Sequence, residues 1–125
     1  MSSFSEPLTV TKLANGKWKV ERTFHYCVGY LGSSDIVEVP KGFESDFASV
    51  PRGLWNLLPP DGPYTQSAVL HDFLYSKRGN SPEGRNRTRK ECDLIFLEAM
   101  VVLNVSAWKR YIMFWSVRIF GGLAW

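Results

Sequence analysis

The chain has 125 residues, 45% of them apolar and 14% aromatic, which is near the common domain size and enough for one real hydrophobic core. A net charge of +3, with no recognised reader motif, argues against specific nucleic-acid binding. Two cysteines far apart, Cys27 and Cys92, exclude a disulfide scaffold and point to a reducing compartment.

One domain spanning residues 1–125 is expected. Residues 8–40 read as an antiparallel β-meander, 41–63 as a connector and 64–122 as a helical part. In the first part Trp18, Val20, Arg22, Phe24, Tyr26, Val28 and Tyr30 occupy alternate positions, with Lys19, Glu21, Thr23 and His25 between them. That period of two predicts a half-buried strand. Asn15-Gly16 predicts a tight hairpin to the strand around Leu8–Thr11. Gly32-Ser33-Ser34 predicts a second turn before Asp35–Val39.

From Pro40 to Pro63 the density of Pro and Gly rules out any long regular element. Phe43, Phe47, Val50, Leu54, Trp55 and Leu57 are nevertheless too apolar for a free linker. An ordered, packed connector is expected, the kind of loop that often carries function.

The remainder predicts three helices. Tyr64–Ser76 is apolar almost all round and so reads as buried. Thr88-Arg89-Lys90-Glu91 is a capping box that starts a second helix running to about Leu103. A third begins near Ser106 and stops at Gly121-Gly122, a C-cap signal. The fold class is therefore α+β, with a small N-terminal meander and a C-terminal layer of three helices.

The chemistry-bearing feature is His71-Asp72-Phe73-Leu74-Tyr75 together with Asp93, ionisable groups set inside apolar runs. Burying unpaired charge costs several kcal/mol, so these groups are expected to meet each other or a metal. His71 and Tyr75 share a helix face four residues apart. Asp93 lies opposite the solvent side marked by Glu91 and Glu98, and so points inward. An Asp93–His71 hydrogen bond would fix the imidazole tautomer and make the other ring nitrogen the base. The alternative is a buried structural network linking the helices without chemistry.

His71-Asp72-x-x-Tyr75 with Asp93-Leu94-Ile95-Phe96 resembles the core of calcium-dependent phospholipases that cleave the sn-2 ester, closest to the compact bacterial and parvovirus-capsid forms. The resemblance covers about thirty residues. It implies His71 as the base activating water, Asp93 as the carboxylate orienting it and Tyr75 as a supporting hydrogen-bonder. It also implies Asp72 as a calcium ligand, calcium as the cofactor and phospholipid as the partner. Calcium takes six to eight oxygens. Upstream, Asp61-Gly62-Pro63 and the Asp46 segment do not match the family's calcium loop.

A second resemblance runs from Val39 to Gly122. Val39-Pro40-Lys41-Gly42-Phe43-Glu44-Ser45-Asp46-Phe47-Ala48-Ser49-Val50-Pro51-Arg52, Leu54-Trp55, His71-Asp72-x-x-Tyr75 and Arg89-x-x-x-Asp93-x-x-Phe96-x-x-x-Met100 are similar to small phage and prophage proteins catalogued as a domain of unknown function. That implies a phage-encoded protein expressed with late virion or lysis functions. It would reside in the bacterial host cytoplasm or the virion, and partner other phage structural proteins or itself. Asp46 reads either as a further metal ligand over His71 or as a local turn cap.

Two expectations concern membranes. Residues 1–7 contain no apolar signal core. The stretch from Tyr111 to Trp125 is too short to span a bilayer and is interrupted by Arg118. The aromatic stripe of Trp108, Tyr111, Ile112, Trp115 and Ile119 reads as core or protein interface, with an interfacial membrane helix as the alternative.

Overall fold

The expected α+β class is realised in the computed structural model, with antiparallel strands in one compact unit, Met1–Asp46, and three helices in another, Phe47–Trp125. The structure describes residues 3–4, 8–14, 17–29, 35–45, 65–79 and 86–123. The division falls within the Pro- and Gly-rich connector.

The alternating run after Trp18 makes two strands rather than one. In order, the strands are β1 (Ser3–Phe4), β2 (Val10–Lys12), β3 (Trp18–Val20), β4 (Phe24–Cys27), β5 (Ile36–Val39) and β6 (Glu44–Ser45). Both expected pairings exist: β2 with β3 through Val10↔Val20, and β4 with β5 through Phe24↔Val39 and Tyr26↔Val37. They belong to different three-stranded sheets, β1-β4-β5 and β2-β3-β6. The break falls at Arg22, the one charged member of the alternating apolar set, and Arg22 is exposed. Keeping a guanidinium in water avoids a burial cost of several kcal/mol, and the chain bends there. A turn closed by Phe43 N–H donating to Pro40 O at 3.2 Å then leads from β5 to β6, beside β3. The expected turn residues Asn15, Gly16 and 32–34 lie outside the described residues.

Val20, Phe24, Tyr26, Val37 and Val39 are buried in this unit. The Phe4 ring packs 4.7 Å from that of Tyr26 and 5.8 Å from that of Phe24. The inward parity expected from the sequence holds for Val20, Phe24 and Tyr26.

The helical unit contains α1 (Thr65–Ser76), α2 (Arg89–Val102) and α3 (Ala107–Phe120), followed by a 3-10 turn, Gly121–Leu123. As expected, α1 is buried almost all round, and it packs on α2, which packs on α3. The Thr88 capping box forms in full: its hydroxyl accepts from Glu91 N–H at 3.1 Å, while Glu91 Oε1 accepts from Thr88 N–H at 2.9 Å. The bond from Thr88 N–H, with a further contribution from the Thr88 side chain, stabilises ionised Glu91 and holds its carboxyl below the usual range. After α2, Asn104 takes φ 60°, and Val105 N–H donates to Met100 O at 3.0 Å. That is the left-handed closure natural to asparagine. No described helix is long and apolar enough to cross a membrane.

Gly79 ends α1 at φ 78°, and its carbonyl accepts from Arg87 N–H at 2.8 Å, tying the exit of α1 to the entry of α2. A Cβ there would collide with the Arg87 backbone. We expect Gly79→Ala to cost more than about 2 kcal/mol, from left-handed strain plus the clash. Thr88→Ala removes only a cap and is expected to cost about 1 kcal/mol. Urea titration followed by circular dichroism measures both, and an equal effect of the two would contradict the clash.

Candidate functional site

Three helices deliver polar side chains to one buried carboxylate. Helical spacing places His71 and Tyr75 on one face of α1, one turn apart. Asp93 sits in the second turn of α2 and has no exposed surface, and neither does His71. His71 Nε2–H donates to Asp93 Oδ1 at 2.7 Å, and the Tyr75 hydroxyl donates to the same oxygen at 2.5 Å. Arg118, in the last turn of α3, donates from Nη1 to Asp93 Oδ2 at 2.8 Å. Arg89, four residues before Asp93, holds Nη1 3.9 Å from Oδ2.

Arg89 also does a second job. Its Nη1 and Nη2 donate to the carbonyls of Val117 and Arg118 at 3.0 and 3.2 Å. A guanidinium at the end of α3 complements the negative helix terminus, adding a second donor to the Val117 carbonyl, which also accepts from Gly121 N–H. Gly121 then packs against the cluster, since a Cβ there would lie 2.7 Å from the Tyr75 hydroxyl. This revises the reason for glycine at that position. Gly121 has φ −63° and is not a left-handed cap; close approach to Tyr75 requires it.

The electrostatics follow from burial and donors. Burial opposes the charge on Asp93, but the bonds from His71, Tyr75 and Arg118 outweigh it and hold its carboxyl below the usual value. Burial pushes the His71 pKa down, partly offset by the bond to Asp93. The imidazole is therefore neutral, and an ionised Asp93 selects the tautomer with its proton on Nε2. Burial, then the bond to Asp93, pushes the Tyr75 hydroxyl pKa upward, so it stays protonated. The imidazole stacks on the Phe96 ring at 4.5 Å and meets the Tyr75 ring, tilted, at 4.2 Å.

Of the residues singled out in the sequence, His71, Tyr75 and Asp93 are brought together. Asp72 is buried on α1 with interaction partners of its own. Asp46, and with it Ser49 and Arg52, lies outside the described residues. Among the described residues, no group of three or more His, Cys, Asp or Glu side chains is placed to hold a metal ion. The described part of the site thus offers calcium one carboxylate of the named pair, Asp72, where that ion takes six to eight oxygens. Two guanidinium groups beside Asp93 further oppose a cation there.

Arg118 was not foreseen as a site residue. Its signal was present, because a lone arginine interrupting an apolar helix needs a buried anion or a route to water. Arg89 was visible as the i−4 neighbour of Asp93, the spacing of a helical ion pair. Neighbouring Cys92 is buried, and desolvation pushes its thiol up to about 12, so it is an inert packing group.

A family model described as a protein of unknown function (DUF1353) matches residues 18–117. An uncharacterized protein, y4jT, of Sinorhizobium fredii (strain NBRC 101917 / NGR234) is 31% identical over 85 residues, covering 66% of this chain and 23% of that protein. The chain thus spans about a quarter of the length of that relative. No solved structure matches.

The depressed His71 pKa carries a definite sign. Below the ordinary value of 6.5 the unfolded chain takes up a proton that the folded chain refuses, so stability falls with falling pH. The slope from this group is at most about 1.4 kcal/mol per pH unit. Asp93 adds a second loss at lower pH, as its carboxyl protonates below the ordinary carboxylate range. Between pH 7 and 5 the urea midpoint of the wild-type protein should fall more steeply than that of His71→Gln, which keeps a donor but does not titrate. Parallel profiles would remove His71 as the source.

Proposed function

The chain belongs to the DUF1353 family of proteins of unknown function, and on that footing we propose that its His/Asp/Tyr cluster is a structural hub in a non-catalytic protein. The observation that carries this reading is the complete burial of both His71 and Asp93. A general base must come within hydrogen-bond reach of a substrate or its water. Here both carboxylate oxygens instead receive donors from side chains of α1 and α3. Such a network specifies one packing of three helices. The resemblance to phage and prophage proteins supports a phage-encoded virion or assembly component acting in the host cytoplasm or virion.

A second reading keeps one observation in its favour. The bond from His71 Nε2 to Asp93 makes Nδ1 the basic nitrogen, the arrangement a phospholipase-like esterase would use. In that reading His71 is the base, Asp93 orients it, Tyr75 supports Asp93, and Asp72 and Asp46 are the calcium ligands.

Hydrolysis of mixed phospholipid vesicles by the purified chain, with calcium and with chelator, separates the two. The hub reading predicts no fatty-acid release. It predicts that His71→Ala lowers stability by about 1–3 kcal/mol, and that Asp93→Asn costs about 3–5 kcal/mol by stranding Arg118. Calcium-dependent release, abolished in a folded His71→Ala protein, would replace the hub with an active site.

A further inference from the structure

The outward face of α3 is more apolar than a free surface needs to be. Trp108 is 56% exposed, Ile112 39%, Trp115 58% and Ile119 67%. At ~100° per residue these four fall within about 60° of one another around the helix, opposite the buried Met113 and Val117. Tyr111 on one flank and Phe120 toward the other are also about half exposed. Each aromatic side chain is worth roughly 150–250 Å² when buried, so these four hold on the order of 400 Å² of exposed apolar surface. A pair of copies would bury on the order of 1,200 Å² in total, the low end of specific interfaces, because the two isoleucines bring the patch to roughly 600 Å² per copy. Such a patch is at or above the size normal for a monomer.

The spacing says what covers it. Trp108, Ile112, Trp115 and Ile119 recur at intervals of four, three and four, the d-a-d-a seam of a heptad repeat with β-branched residues at a. The intervals read the same in both directions, but the residues alternate Trp, Ile, Trp, Ile. Two copies laid antiparallel therefore place Trp108 against Ile119 and Ile112 against Trp115 in every layer, large against small. A parallel pair would set Trp against Trp. Large-to-small layering is what close packing favours, and a two-fold axis between Ile112 and Trp115 makes the contact isologous.

Each cation on α3 has a partner within the helical unit. Lys109 lies over the Trp108 ring at 5.5 Å, Arg110 donates to Val105 O at 3.1 Å, and Arg118 binds Asp93. None of the four seam positions carries a charge. We propose that α3 is a homodimer interface in which a second copy of this chain packs antiparallel along Trp108, Ile112, Trp115 and Ile119. The interface stands independently of either reading of His71.

Sedimentation velocity of the full chain over a hundredfold concentration range is the test. The wild type should run as a concentration-dependent dimer. Ile112→Glu and Trp115→Lys should each weaken it by roughly thirtyfold or more, as central interface residues do. Circular dichroism should stay unchanged, because both side chains face outward, and the urea midpoint should match the wild type's at concentrations where the wild type is monomeric. Mixing the two variants should restore the dimer, since only antiparallel packing sets the new carboxylate against the new ammonium. Should either variant fail to fold, Trp108→Lys and Ile119→Glu probe the outer layer by the same logic. A wild type that stays monomeric overturns the proposal, as does a dimer indifferent to these substitutions or a mixture that fails to reassociate. Monomers that float with phosphatidylglycerol vesicles, and lose this with Trp115→Lys, would assign the face to a membrane instead.

Discussion

One buried carboxylate organises the helical unit. Moving Asp93 out of water costs several kcal/mol, and that cost is offset only if its oxygens are saturated by donors in fixed places. The donors come from α1 through His71 and Tyr75 and from α3 through Arg118, with Arg89 of α2 close by. Shifting any of the three helices relative to the others leaves a buried donor or acceptor unmatched. Apolar contacts tolerate small slides, whereas this constellation does not. In the hub reading, the Asp93 network is what selects a single register for the three helices.

The details around the cluster follow from that constraint. Arg89 reaches from the first turn of α2 to the final carbonyls of α3, so the residue that supports Asp93 also closes the helix bearing Arg118. Gly121 lacks a side chain because the Tyr75 hydroxyl occupies the space. Phe96 stacks on the His71 ring and keeps water from it. The Asp93 cluster is thus polar but saturated, set inside a largely apolar core. The outward face of α3 is the reverse, with Trp108, Trp115 and Ile119 each more than half exposed.

Much of this was legible in the chain. Periodicity and caps located α1, α2 and α3 to within a residue or so, because the Thr88–Glu91 box and the inward spacing of Asp93 are local features. The meeting of His71 with Asp93 was legible for an energetic reason: two ionisable groups in apolar runs have few alternatives to each other. Arg118 was harder to assign. It lies 25 residues beyond Asp93, and no local rule says which buried anion a distant arginine will find. Alternation persists through Arg22, so the spacing alone predicts one continuous strand from Trp18. Nothing in a period of two indicates where a strand leaves one sheet for another.

The sequence by itself determined the fold class, the helix boundaries, the strand pairings β2–β3 and β4–β5, and the identity of the buried polar trio. These depend on spacing and on the cost of burying charge, both readable along the chain. Only the tertiary structure decided that Arg118 and Arg89 complete the cluster, that Gly121 is there to admit Tyr75, and that the strands part into two sheets at Arg22. Each of those depends on distances between segments remote in sequence. Such distances are set by the simultaneous packing of many side chains, which no single stretch of the chain encodes.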